Sequence, residues 1–476
     1  MKNKKKKMSL VFVFLLAVTI LFGSSENAEA VGTKKIQLNK KSVTLEVGKK
    51  TTLKVMNAPK GKKITWKSNK KTVASVTSKG VVTAQKQGKT KITATVAKKK
   101  YSCTVTVKKK EEVIPAISLE NTEGKNPKDV AALKKIIAIQ NAKGARIPTN
   151  LKESDYVWNK EGRLCEIHWN YNRLSGKLSL ADFTELKSVT CEGNQLSGLD
   201  VSKNAALVDL SCYSNQLSSL DVSKNTALVK LSCDSNQLNS LDVSHNLLLE
   251  KLDCKDNKLK KLVVKNNVTL KDLDCKNNQL KSLDLSQNPV LESLICDNNQ
   301  LSSLDVSENP ELWLMDCNDN QLSYLDLENN PKIEILGCEG NQLSSLDVSN
   351  KPKLSYLNCS NNQLSSLEVS TNVALADLYC RNNQLRSLDV SNNAQLSALY
   401  CDNNQLSHLD VCNNSELTYM SCNNNQITSL DVSQNKKLLE LECCGNLLDT
   451  LDLRENSQLE KVNCDDNVQL TGWPRE

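Results

Sequence analysis

Residues 375–396 read LADLYCRNNQLRSLDVSNNAQL. The stretch holds two half-units. The first is Leu375-x-x-Leu378-x-Cys380-x-x-Asn383-x-Leu385, and the second is Leu385-x-x-Leu388-x-Val390-x-x-Asn393-x-x-Leu396. In each, two apolar residues alternate with one polar residue, as on a short strand, and an Asn-bearing turn follows. Working outward, Cys recurs every 21 residues from Cys191 to Cys464, fourteen times without a gap, and Asn stands three residues after each. An unbroken period of this length predicts a solenoid in which each coil buries its apolar face only against its neighbours.

The pattern L-x-x-L-x-L-x-x-N-x-L resembles the leucine-rich repeat, with Cys in the third Leu slot. Its recurrence half a repeat later resembles the nested, IRREKO-type subfamily. The resemblance implies two short strands per 21-residue coil, on opposite sides. Strands on both sides have matched spacing, so a rod of low curvature is expected, about 4.8 Å per coil and about 65 Å for fourteen coils.

Upstream the texture changes. Residues 1–30 carry a basic start (Lys2, Lys4–Lys7), an apolar run over 10–22 and Ala28-Glu29-Ala30, the marks of a cleavable signal peptide. The expected product is secreted or held non-covalently at a cell surface, with no transmembrane segment once the signal is removed. The ending at Glu476 shows no sorting motif. Residues 34–108 alternate apolar and polar residues in short runs: Val43, Leu45 and Val47; Ile92, Ala94 and Val96; Cys103, Val105 and Val107. Gly48, Gly61, Gly80 and Gly88 punctuate them. About seven strands in about 75 residues suggest a small sandwich. The run Ile64–Asn69, then Val73–Val76, Gly80–Ala84 and Ile92–Ala94, resembles the bacterial Ig-like group 2 family, which implies a stalk or binding module. A linker is expected at 109–125. A helical cap with a degenerate first repeat is expected at 126–180, with Asn126 as N-cap, Pro127 at the first helical position and Gly144 as the C-terminal stop. The solenoid is expected over 181–476. The pairing of Ig-like and leucine-rich modules resembles internalin-like architectures.

Charge divides along the same boundary. Residues 33–110 hold 23 Lys, no Arg and one acidic residue (Glu46), whereas 111–476 hold 34 basic and 51 acidic residues. Two parts with net charges of +22 and −17 point to different partners. Lys62, Lys63, Lys98, Lys99 and Lys100 are candidates for binding a polyanion such as an acidic cell-wall polymer. Lys without Arg implies diffuse point-charge attraction. Two other readings stay open: genome-wide Lys bias, or docking on the chain's own acidic solenoid. No specific nucleic-acid binding is expected.

The ladders invite chemistry but read as structure. Cys296, Cys317, Cys338 and their equivalents sit inward, two residues from an inward Leu, where a thiol behaves as a small hydrophobe. A line of thiols does not converge on a metal. Neighbouring Cβ atoms held about 4.8 Å apart favour free thiols over disulfides. Cys412 and Cys444 are the outward, accessible ones. Asn299, Asn320, Asn341 and their equivalents, with a second column from Asn204 onward, are expected to pair backbone groups of successive turns. An acidic ladder (Asp200, Asp221 and onward, with Glu368) is relieved by Ser hydroxyls, by turn N–H groups or by calcium; the turns lack the glycines of calcium-binding repeats. His408 and Cys412 stand too far apart for a catalytic dyad, and the ladder carboxylates line no cleft. No enzyme activity and no cofactor or metal are expected.

What remains is recognition of a protein or glycan surface partner. The positions one and three before each Cys face outward, and there Leu314, Ile335, Tyr356, Tyr379, Tyr400 and Tyr419, beside Trp313, occupy consecutive coils. Such a stripe is either a binding face or a stack that stabilises the coils. The alternative role for the whole chain is a structural cell-wall or matrix spacer held by the basic domain.

Overall fold

The computed structural model describes residues 34–109 and 114–473. The signal-peptide reading lies outside the described residues, as do residues 474–476. The chain divides into two compact units between residues 113 and 114.

The first unit is a β-sandwich. One sheet has four strands, in the order Ser42–Glu46, Lys99–Lys108, Gly88–Val96, Ile64–Ser68. Its first pair is parallel and the rest antiparallel. A three-stranded sheet (Lys50–Thr52, Val81–Ala84, Ala74–Val76) and a two-stranded ribbon complete it. The alternating residues Ile92, Ala94, Cys103, Val105 and Val107 are buried in one core with Leu53, Val82 and Ala84. Gly80 has φ +80°, and a Cβ there would strike the carbonyl of Leu53 and the ring of Trp66, so only glycine fits that turn.

The second unit opens with helix α1, Pro127–Asn141. Asn126 caps it by accepting from the N–H groups of Lys128 and Asp129. At the far end Ala145 N–H bonds Gln140 O and Gly144 N–H bonds Asn141 O, the Schellman pattern with Gly144 at φ +94°. Asp129 does more than favour the helix start. Its carboxylate is buried and accepts from Arg163 Nε at 2.8 Å and Leu164 N–H at 3.0 Å, tying the helix to the first coil. Leu133 and Ile137 cover the end of the solenoid core. In the first coil Trp169 fills the slot that Cys takes later, since Ile167 pairs with Val189 two residues before Cys191. Among the described residues α1 is the only α-helix, so the coils carry no convex helix.

One sheet of sixteen strands runs the length of the solenoid, from Tyr156–Trp158 to Lys461–Asn463. Beyond the first pair it is parallel and in register: Leu294 pairs with Met315, Met315 with Leu336, Leu336 with Leu357. The inward Leu, Cys and Val columns form one continuous core from the cap to Val468.

The second strand of each coil departs from expectation. Among the described residues, paired strands form on that side only at the two ends, Ser175–Ser179 with Gln195–Asp200 and Thr450–Asp452 with Gln469–Thr471. In between, the backbone keeps one bond per coil, such as Gln300 N–H to Leu280 O at 2.8 Å. Side chains claim two further donors. Leu301 N–H goes to Asn320 Oδ1 at 3.0 Å, and Ser307 N–H to Asp305 Oδ1 at 3.0 Å. A donor bonded within its own turn or to a ladder amide cannot also extend a β-ladder.

Candidate functional site

The period brings the outward residues of the long sheet into two columns. Leu314, Ile335 and Tyr356 are successive register partners three residues before Cys, followed by Asp377, Ala398 and Tyr419. One residue before Cys stand Asp316, Gly337, Asn358, Tyr379, Tyr400 and Ser421. The tyrosines meet where the columns run side by side. The Tyr356 and Tyr379 rings are 5.4 Å apart and tilted by 41°, and Tyr379 and Tyr400 stack at 4.8 Å and 10°. These three rings, Leu314 and Ile335 are half-buried. Trp313 and Tyr419 are 39% exposed and stand outside the stack. Trp313 precedes its strand, in line with Glu292 and Glu334.

Two further residues of this candidate face are not evident from the sequence alone. The Arg381 guanidinium lies 4.2 Å from the centroid of the Tyr400 ring, and its Nε donates to Asp402 Oδ2 at 2.7 Å. Asp402 is buried behind the stack and also accepts from Asn423 N–H at 3.1 Å, Asn423 Nδ2 at 2.9 Å and the Ser421 hydroxyl. The signal was present: Arg381 is two residues from Tyr379 on the same side of the chain, and Asp402 occupies its position one coil later. Ring, cation and carboxylate hold one another, so the face is set before any partner arrives.

Charge borders the tyrosines at both ends. Toward the cap, Asp274, Asp297 and Asp316 crowd together with Lys276 near them. Burial, with Asp316 and Asp274 close by, raises the Asp297 carboxyl to about 6 against its backbone bond to Asn318. Toward the C-terminus, Asn423 reaches Glu442 at 3.3 Å, and Glu442 pairs with Lys461 at 2.6 Å. An aromatic centre with a charged rim is the usual anatomy of a binding patch.

The ladders hold this face in place. The thiols of Cys296, Cys317 and Cys338 are fully buried and unbridged. Burial pushes ladder thiols up, to about 12 for Cys191 and Cys359, which leaves them poor nucleophiles. Cys412 is exposed and Cys444 half-buried. Asn299 Nδ2 donates to the carbonyls of Cys275, Cys296 and Asp297, while its Oδ1 accepts Leu280 N–H at 3.0 Å. Asn320 and Asn341 repeat the arrangement. The second column uses only its donors: Asn309 Nδ2 reaches Leu285 O and Asn288 O, and its Oδ1 has no partner. The acidic ladder is relieved within each turn. Asp200, for example, accepts from the Ser202 hydroxyl at 2.7 Å and its N–H at 3.1 Å, and these bonds lower its pKa. Among the described residues no group of His, Cys, Asp or Glu could hold a metal ion.

In the first unit the register places Ile64 beside Val96 and Val96 beside Lys99. Lys62 and Lys63 therefore lead into the strand that flanks the Ala97-Lys98 hairpin turn. All five candidate lysines are exposed at this end of the sheet.

Residues 33–107 match the bacterial Ig-like domain (group 2). The solenoid is similar to the functional domain of InlJ from Listeria monocytogenes, described as including a cysteine ladder. The two are 34% identical with a TM-score of 0.58, over 61% of this chain and 65% of that one, so this chain spans under two thirds of its length. A leucine-rich-repeat protein of Leptospira interrogans is 25% identical with a TM-score of 0.56, over 60% of this chain and 79% of its own. An internalin, InlF of Listeria monocytogenes, shares the fold at 19% identity and a TM-score of 0.56, over 68% of this chain and 97% of its own. No curated protein sequence matches the chain. The architecture is an Ig-like domain followed by a leucine-rich-repeat β-solenoid.

Proposed function

We propose that this is an exported bacterial binding protein whose solenoid recognises a protein or glycan surface partner through the tyrosine face. One observation carries the reading: Tyr356, Tyr379 and Tyr400 are packed into a continuous stack, braced by Arg381 and Asp402, at the outer surface of the sheet. Aromatic anchors within a polar rim dominate the energetics of protein interfaces. Export rests on the basic, apolar and Ala-x-Ala segments of residues 1–30. The test is capture of surface proteins and glycans from host and bacterial extracts by the full chain. Tyr379→Ala with Tyr400→Ala is expected to abolish capture. Loss of two ring contacts, the Arg381 contact and two half-buried side chains should lower stability by about 2–4 kcal/mol. Undiminished capture by the folded double variant would show that the stack serves the coils alone.

The second reading is a wall or matrix spacer held by the Ig-like domain. It is favoured by the gathering of Lys62, Lys63 and Lys98–Lys100 at one end of the four-stranded sheet. A diffuse cluster of ammonium groups suits an acidic wall polymer. Capture by the wall alone, unaffected by the tyrosine substitutions, would favour this role.

A further inference from the structure

In a repeat the consensus residue is the structural one, so a departure that weakens the ladder needs another reason. Two departures line a single hollow of about 500 Å³ on the aspartate-bearing side of the coils, away from the tyrosine face. The first is Lys351. Twelve coils place a buried Asn in this column; here a lysine takes its place and is 1% exposed. Among the described residues nothing lies within hydrogen-bonding or ion-pairing distance of its ammonium. Burial lowers its pKa, opposed by the more distant Asp347 and Asp326. The ammonium opens onto the hollow with no protein partner there, and a charge set this deep costs more than the amide of the other coils. The second departure is Tyr324. It stands where the neighbouring coils carry Ser303 and Ser345, and its ring is 65% exposed. Two coils earlier the corresponding surface, with Asp284 and Asp305, encloses only about 210 Å³ and has neither ring nor ammonium.

The remaining walls set the ligand chemistry. Asp326 accepts the N–H of Glu328 at 3.0 Å through Oδ1, and Asp347 accepts that of Ser349 at 2.9 Å. Each carboxylate thus keeps a second oxygen as an acceptor, the two residues lying about 4.8 Å apart along the ladder. A free anion entering the hollow meets Asp326, Asp347 and Glu328. A free cation can pair with the carboxylates but leaves the Lys351 ammonium without a partner. A neutral polyol satisfies both: hydroxyls donate to the carboxylates, another hydroxyl or ring oxygen accepts from the ammonium, and a sugar's C–H face lies against the phenol ring. We propose that this hollow binds a neutral pyranose unit, with Lys351 as donor, Asp326 and Asp347 as acceptors and Tyr324 as the stacking platform. The site is separate from the tyrosine face.

Saturation-transfer NMR on the full chain tests this with the methyl glycosides of glucose, galactose and mannose, and with N-acetylneuraminic acid and glucosamine as charged comparators. The variants are Lys351→Asn and Tyr324→Ser. Each restores the residue of the neighbouring coils, so both should melt at or above the wild-type temperature. Transfer is expected from at least one neutral glycoside. Each variant should weaken it at least about tenfold, the scale of one charge-assisted hydrogen bond or one lost platform. Tyr379→Ala with Tyr400→Ala should leave it unchanged. The proposal falls if no neutral glycoside gives transfer, if only the charged sugars do, or if transfer persists undiminished in both hollow variants.

Discussion

Asn299→Ala and Asn309→Ala remove the same amide from neighbouring turns, yet their effects should differ. When Asn299 goes, three carbonyls lose a donor, but each keeps another. Cys275 O retains Asn278 Nδ2 at 3.0 Å, Cys296 O retains Asn320 Nδ2 at 3.1 Å, and Asp297 O retains Asn277 N–H at 2.9 Å. The group left stranded is Leu280 N–H, whose only partner is Asn299 Oδ1, in a residue with no exposed surface. When Asn309 goes, Leu285 O keeps Asn288 N–H at 3.0 Å and Asn288 O keeps Leu291 N–H at 3.1 Å. No donor is stranded, and a buried Oδ1 without a partner disappears. The voids are alike and cancel in the comparison. The difference is then one buried unpaired N–H, about 1–3 kcal/mol. Asn299→Ala should therefore be less stable than Asn309→Ala by about 2 kcal/mol, roughly thirtyfold in the unfolding equilibrium. Urea denaturation of both variants, with m-values compared to exclude partial unfolding of the array, measures the gap. Equal midpoints would refute the assignment of Asn Oδ1 as the partner that matters.

Three further outcomes follow from the same geometry. The Asp297 carboxyl, raised to about 6, holds its proton more tightly in the folded chain than in the unfolded one; its ionisation therefore lowers stability as pH rises through about 6, and protonation restores it as pH falls toward about 4. Wild type should gain melting temperature relative to Asp297→Asn between pH 7 and pH 5, by an amount on the order of 1 kcal/mol after solvent screening, and parallel melting curves across that window would contradict it. Alkylation of the native chain should label Cys412 first and Cys444 more slowly, with the buried ladder thiols reacting only on unfolding; peptide mapping that finds Cys317 labelled early would mean the coils open locally. Replacing Lys62, Lys63, Lys98, Lys99 and Lys100 with Gln should remove binding of the full chain to an acidic wall polymer at low salt, and wild-type binding should fade as the screening length falls to about 8 Å near physiological ionic strength. Salt-independent retention would point to contacts other than these charges.

The coil was legible because one constraint repeats. A period of 21 assigns the recurring Leu, Cys and Val columns to the inside, and a slip of one residue would expose them all. The sandwich was legible for a similar reason, through the alternation in Ile92–Val96 and Cys103–Val107. Features that depend on how far a side chain reaches between coils were not. Spacing alone does not show that Asn320 Oδ1 captures Leu301 N–H and so erodes the second strand. Nor does it show that Trp169 serves as the first member of the Cys column. The tyrosine columns could be listed from their offsets, but the contact between columns, Tyr356 to Tyr379, depends on ring direction. Arg381 is not marked by its spacing, because the residue after Cys varies from coil to coil.

In such a chain the consensus spells structure, and binding chemistry can enter only where a coil departs from it. A pure spacer would place its departures anywhere on the surface and would avoid those that weaken a ladder. Here the departures cluster. Tyr356, Tyr379, Arg381, Tyr400 and Asp402 fall on, or just past, three successive strands and form one chain of contacts. Tyr324 and Lys351 fall in adjacent coils on the other side and share one hollow. The second pair includes a buried ammonium in a column where an amide would be the more stable occupant. Lys351→Asn should therefore raise the melting temperature of the full chain while removing sugar binding. Drift on a free surface cannot produce that opposition, whereas a residue retained for a ligand does. A Lys351→Asn chain that melts below wild type would show that the lysine is itself the better structural fit, and the hollow would lose its claim to be a site.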